Sequence, residues 1–400
     1  MDDSGLNNIF LYLLLLASLA LGWWLGRRKN FGARSSDLRG GRFTPEKDYF
    51  LGLNYLLNDE PDDAIDIFID SLEINSGTLE TYMALGMLLR RRGKVDRSIA
   101  VYQDLLGQSN FSSGEFNEIK LQLVQSYIAA GLLDRAEHLL VELRVQKGVI
   151  KLKALELSAN VYQLEKDWLE GVNALSELLK VCAPADRSSC QNLASHFYCE
   201  LAEEEIENER LSRARDYLRQ ASAMDKHNTR VSMLFGNLEA LSGNYKEAIK
   251  NYLRVKKQDP SFLADVFVPL IECYEKTGKQ NELNKFIDST MSEEKDTSVL
   301  IALAGYLEQD RGQEQARQYL LGKLEQNPSL RLMMQSIALD ASAVDSQSEH
   351  RLFLQVLKEN LENKAQYQCS NCGFELKNLL WHCPSCSRWG LIKHVRGMLG

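Results

Sequence analysis

The chain has 400 residues, 55 of them acidic and 47 basic, for a formal net charge of -8. A net-acidic body argues against broad electrostatic binding to nucleic acid. It holds no P-loop, no G-x-G-x-x-G after a strand, no H-E-x-x-H and no G-x-S-x-G, and its six histidines are scattered, so an enzyme is not expected.

From Ile9 to Gly26 no residue is charged, and about 18 residues make some 27 Å of helix, close to the hydrocarbon thickness of a bilayer. The pattern predicts one transmembrane helix in an anchor over residues 1–26. A cleavable signal peptide would begin basic, whereas this chain begins Met1-Asp2-Asp3-Ser4, and no small-x-small site follows Trp23 and Trp24. Arg27, Arg28 and Lys29, then Arg34, Arg39 and Arg42, place the rest of the chain on the cytoplasmic side and the N-terminus on the other. Residues 27–44, with Ser35, Ser36, Gly40 and Gly41, read as a basic linker that keeps the downstream chain close to membrane lipid.

Residues 45–362 are too many for an ordinary single core and show no strand alternation, which predicts a helical array. Internal periodicity agrees. Counting from Pro45, Gly52, Tyr55, Ala64 and Phe68 stand at offsets of a repeat of about 34 residues that recur from Leu79 as Gly86, Leu89, Ser98 and Tyr102. Gly236, Ala248, Tyr252, Val255 and Pro260 form another copy, and Ala304, Ala316, Leu320 and Pro328 a further one. Weaker copies centre on Tyr127, Gly131 and Ala136, on Tyr162 and Leu175, on Ala202, Ala214 and Leu218, and on Tyr274, Gly278 and Ile287. Small residues are needed where the two antiparallel helices of a repeat approach most closely, and a large one fills the space beside them. These units resemble tetratricopeptide repeats, about eight or nine in all, which stack into a superhelix with a groove for peptides or protein helices. The spacer from Cys182 to Gln191 interrupts the period. Groove-facing candidates on the second repeat are Glu80, Met83, Met87, Arg90 and Arg91; Arg90, Arg91 and Arg92 suit an acidic partner segment or form a solvated helix end before Gly93.

At the far end Cys369, Cys372, Cys383 and Cys386 form two C-x2-C pairs ten residues apart, a spacing that closes four thiolates around one metal ion. A segment of about 30 residues cannot fold on its own core, so the ion supplies its folding free energy, on the order of 10 kcal/mol. Gly373 follows the first pair and Ser387 the second, so the two knuckles differ. Disulfides would require an oxidising compartment, and doubled redox pairs do not occur at this separation. His382 could be an alternative ligand, although four cysteines complete the site. Cys182, Cys190, Cys199 and Cys273 lack ligand spacing; His196, Cys199 and Cys190 could form a second site but read better as core. Residues 366–400 are thus a rubredoxin-like ribbon, expected to pack on the repeats through Leu379, Leu380, Trp381, Trp389, Leu391 and Ile392.

The expected fold class is therefore mostly α: one transmembrane helix, a tetratricopeptide-repeat solenoid and a small C-terminal zinc ribbon. This order, with the ending WHCPSCSRWGLIKHVRG, resembles the lipopolysaccharide assembly protein B family over essentially the full length. Its most specific part is Trp381, Trp389, Ile392, Lys393 and Arg396 around the second knuckle; His394 stands where the family commonly has proline. The resemblance implies zinc or iron held by the four cysteines. It also implies an inner-membrane adaptor that works with the AAA+ protease FtsH to control turnover of the lipid A pathway deacetylase LpxC, alongside lipopolysaccharide assembly and export proteins. Homodimerisation is left open. Two rival readings are a nucleic-acid-binding ribbon using Arg388, Trp389, Lys393, His394 and Arg396, and electron transfer through iron.

Overall fold

In the computed structural model, residues 78–108, 111–339, 355–356, 359–361 and 364–397 are described. The anchor at Ile9–Gly26, the linker and the repeat beginning at Pro45 lie outside them. Among the described residues no helix is long and apolar enough to cross a membrane. The chain divides into two compact units, one of Met1–Leu88 with Gly107–Phe111 and one of Leu89–Leu106 with Ser112–Gly400. In the described part of the first, Leu79, Tyr82 and Leu85 are buried at helical spacing.

The helices are α1 (Leu79–Arg91), α2 (Val95–Gly107), α3 (Ser113–Ala129), α4 (Leu133–Arg144), α5 (Val149–Glu165), α6 (Trp168–Val181), α7 (Arg187–Glu207) and α8 (Leu211–Met224). They continue as α9 (Thr229–Leu241), α10 (Tyr245–Gln258), α11 (Leu263–Thr277), α12 (Gln280–Glu293), α13 (Thr297–Arg311), α14 (Gln313–Gln326) and α15 (Leu330–Ala338). Their ends are specified locally. Ser112 and Glu115 form a reciprocal capping box at α3, and the side chains of Asp167, Asn228, Asp296 and Ser329 cap α6, α9, α13 and α15. Gly278 closes α11 at φ 67°, a conformation that costs glycine little.

The small-against-large rule sets the packing. A Cβ on Gly236 of α9 would run into the Tyr252 ring of α10, whose hydroxyl donates to Asn237 Oδ1 at 2.7 Å. Ala248, Val255 and Tyr252 are all buried in that hairpin. Pro260 ends α10 as expected, opening a short 3-10 turn, Pro260–Phe262, that runs directly into α11. The segment from Cys182 to Gln191 is a short turn followed by the start of α7, which has 21 residues where its neighbours have about 14, so the broken period is a lengthened helix rather than a long loop. Cys199 and Cys273 are core fillers, and burial pushes the Cys199 thiol up to about 12.

The C-terminal ribbon is a three-stranded antiparallel sheet in the order β2, β1, β3: β1 (Tyr367–Cys369), β2 (Glu375–Leu376) and β3 (Ile392–His394). Tyr367 stands opposite both Leu376 and His394, and Cys369 opposite Ile392. Among its described residues, its own buried core is Tyr367, Cys369, Cys383 and Ile392. Two of those four are cysteines, so the module depends on what the thiols bind.

Candidate metal centre

Cys369 ends β1, Cys372 lies in the turn toward β2, and Cys383 and Cys386 lie in the turn that precedes β3. The two turns are built alike. The amide of Gly373 donates to Cys369 O at 2.9 Å, and the amide of Ser387 donates to Cys383 O at 2.8 Å. Both residues have positive φ, 76° and 54°. Sequence alone suggested that the knuckles differ; in the structure they share a conformation, and Ser387 bears a cost of about 1–2 kcal/mol that Gly373 avoids. The shared turn aims amides at sulfur: Phe374 N–H toward Cys372, those of Ser385 and Cys386 toward Cys383, and that of Arg388 toward Cys386.

The four sulfurs all lie within 4.8 Å of one another. Cys369 Sγ is 3.7 Å from Cys386 Sγ, and Cys372 Sγ is 3.6 Å from Cys383 Sγ. Metal–sulfur bonds of about 2.3 Å give a tetrahedron with edges of about 3.8 Å, so the tetrad fits one ion. All eight cysteines are unbridged. Burial pushes Cys383 up to about 11. Burial acts the same way on Cys386, but bonds from the Arg388 amide and the Asn371 side chain outweigh it and hold that thiol near about 6. Such donors favour thiolate and hence ligation. Among the described residues no second group of three or more His, Cys, Asp or Glu side chains converges, so His196, Cys199 and Cys190 make no site.

The ribbon is docked on the array, and its second knuckle makes the joint. The Trp389 indole donates from Nε1 to Gln163 Oε1 at 2.9 Å, stacks on His196 at 5.1 Å and meets Trp168 and Phe197 edge-on at 6.1 and 6.0 Å. Trp381 stacks on Phe262 at 5.0 Å. The Arg230 guanidinium lies 5.8 Å from the centroids of both tryptophans. Arg230 is 2% exposed and pairs at 2.8 Å with Glu200 and with Glu203. Burial works against its charge, but the two carboxylates prevail and raise its proton affinity. Gly390 at φ 69° brings backbone against the His196 ring, whose pKa burial lowers to about 3. His382 is no ligand; it bonds Gln163 at 3.1 Å. Leu379 and Trp381 join one array core and Trp389 another, whereas Leu391 and Ile392 belong to the ribbon's own core and Leu380 stays 45% exposed, so these three depart from the expectation.

Polar pairs complete the joint. Lys393 Nζ lies 2.7 Å from Asp259 Oδ2; burial opposes ionisation of Asp259, yet Lys393 and Ser261 hold its carboxyl below the usual range. His394 bridges Asp265 Oδ2 and Ser298 Oγ at 3.1 Å each, and the Tyr367 hydroxyl donates to Asp265 Oδ1 at 2.7 Å. Of the side chains that suggested nucleic-acid binding, Trp389, Lys393 and His394 thus face the array, and Arg388 bonds Asn371 at 2.9 Å. The groove candidates on α1 separate. Arg90 donates to Gln125 Oε1 at 2.7 Å and to Gln122 Oε1 and Ser126 Oγ of α3, so its guanidinium serves the neighbouring repeat. Arg91, like Glu80, is exposed, while Met83 and Met87 are part-buried.

Fold and site define a tetratricopeptide-type array carrying a four-thiolate, rubredoxin-type metal ribbon. Residues 367–393 match the rubredoxin metal binding domain model and residues 199–261 a tetratricopeptide repeat model. Lipopolysaccharide assembly protein B of Escherichia coli K12 is 32% identical over 98% of this chain and 99% of its own length, and that of Haemophilus influenzae is 30% identical over 96% and 98%. The chain belongs to the lipopolysaccharide assembly protein B family. Among solved structures, a tetratricopeptide repeat protein from Parabacteroides merdae aligns at 13% identity over 66% of this chain and 99% of its own, with a TM-score of 0.35, too low to add to that assignment.

Proposed function

We propose that this protein is an inner-membrane adaptor that restrains lipopolysaccharide synthesis by presenting LpxC to FtsH, and that it also helps coordinate lipopolysaccharide assembly. The observation that carries the reading is kinship along almost the whole chain with proteins named for lipopolysaccharide assembly, joined to a ribbon docked on the array through Trp389 and Lys393. The uncharged run at Ile9–Gly26 and the basic residues after it support a single-pass anchor, residues 1–26 and 27–44, with the array on the cytoplasmic side. Anchoring on a membrane that also holds the protease raises the effective concentration of the pair. The array, residues 45–362, supplies extended surface for a client, with Met83, Met87 and Arg91 as contact candidates; the ribbon, residues 366–400, holds zinc or iron. The adaptor carries out no chemistry of its own in this scheme.

The test is the half-life of LpxC in cells depleted of this protein and complemented with wild type or with Cys372→Ser. Depletion should lengthen the half-life and only wild type should shorten it again. An unchanged half-life on depletion would reject the adaptor reading.

A further inference from the structure

Where ribbon meets array there is a cavity of about 330 Å³ that the docking side chains do not fill. Ile301, Met334 and Leu361 give it apolar walls, and Arg331, Gln335 and Gln366 bring polar ends to it. Arg331 is its unusual member. The guanidinium is half-buried and donates at 2.8 Å to the carbonyl of Ala365, and among the described residues no carboxylate pairs with it. Burial accordingly lowers its proton affinity with nothing offsetting that cost, the reverse of Arg230. A part-buried cation without a counter-ion at the edge of a cavity is suited to an anion from outside.

The surroundings narrow the anion. Asp265 also lines the cavity, with its two oxygens already accepting from Tyr367 and facing His394, so a singly charged anion is opposed less there than a dianionic phosphate would be. A single carboxylate matches the Arg fork in a bidentate pair. The volume is at the low end of the range for ligand pockets, about 300–1,000 Å³, which admits an apolar side chain or two. The two glutamine amides suit the N–H and C=O of a peptide bond.

We propose that this cavity captures the free C-terminal carboxylate of a partner protein whose last side chain is apolar, with Arg331 holding the carboxylate and Ile301, Met334 and Leu361 receiving the side chain. Gln366 and Tyr367 come from the ribbon side and Arg331, Met334 and Gln335 from α15, so the site is complete only while the ribbon is docked. The proposal goes beyond the adaptor reading and does not depend on which protein is the client.

The test is fluorescence anisotropy with the full chain in detergent, using dye-labelled hexapeptides of one neutral sequence that end in each of the twenty residues with a free carboxylate. Peptides ending in Leu, Val, Ile or Met should bind, and their C-terminal amides should bind about tenfold or more weaker. Arg331→Gln and the cavity-filling Met334→Trp should each weaken binding about tenfold or more while the bound metal and the thermal transition stay unchanged. Equal binding of acid and amide, no binding by any peptide, or full affinity in both variants would overturn the proposal. So would octanoate binding where no peptide does, which would mark a fatty-acid site. None of these outcomes bears on the half-life of LpxC, so the two readings fail separately.

Discussion

Replacing Trp389 with alanine should release the ribbon from the array without unfolding either. A fully buried tryptophan truncated to alanine costs about 3–5 kcal/mol, and Trp389 is partly exposed, which brings the packing loss to about 2 kcal/mol. Loss of the stacked His196 pair and of the Arg230 contact adds about 1 kcal/mol. Undocking should then become more frequent by about 100-fold, since each 1.4 kcal/mol is a factor of about ten. His196 reports it. Its ring is 2% exposed beneath Trp389 and Gly390, and its pKa near about 3 keeps it neutral and nucleophilic at pH 7. Carbethoxylation of His196, followed by mass spectrometry with the exposed His138 and His227 as references, should accelerate about 100-fold in Trp389→Ala. A rate within about threefold of wild type would show that the indole is not what holds the ribbon down, and the packing argument would fail.

Gly236→Ala should lower stability by about 1–3 kcal/mol in urea unfolding, because the new methyl meets the Tyr252 ring; an unchanged midpoint would mean the helices have room to part. His196 has a folded-state pKa depressed from about 6.5 to about 3, so the unfolded chain takes up a proton first and stability is lost as pH falls below the unfolded value. Relative to His196→Phe, wild type should therefore lose about 1.4 kcal/mol per pH unit between about pH 6 and pH 4, and parallel curves for the two proteins would contradict the burial argument. Cys383→Ser should abolish stoichiometric metal binding, measured by elemental analysis of purified protein, while the far-ultraviolet signal of the helices is kept. A variant that retains one ion per chain would show that three thiolates suffice.

The metal tetrad was legible because its information is local: two pairs at ligand spacing, each in a turn whose hydrogen bonds span only a few residues. The hairpins were legible for a related reason, since Gly236 and Tyr252 lie within one repeat and a single offset rule connects them. The docking surface was legible on one side only. Trp381 and Trp389 stood out as more apolar area than a small ribbon can cover, but their partners Gln163, His196, Arg230 and Phe262 sit in separate repeats, and no spacing rule links positions more than a hundred residues apart. Arg230 in particular reads as an ordinary charged residue in the first turn of α9; only its place between two indoles and beside Glu200 and Glu203 explains its burial. Arg90 shows the converse. Its neighbours Arg91 and Arg92 suggested one basic patch, but the helix turns Arg90 toward α3 and leaves the other two in solvent.

The central claim is that ribbon and array work as one docked body, beyond the requirement that the ribbon hold its metal. It is tested most directly by the half-life of LpxC in depleted cells that express Trp389→Ala, with metal content of the purified variant measured alongside. The account predicts a variant that keeps its ion yet leaves LpxC as long-lived as Cys383→Ser does. Normal turnover of LpxC by a metal-loaded, undocked Trp389→Ala protein would contradict it.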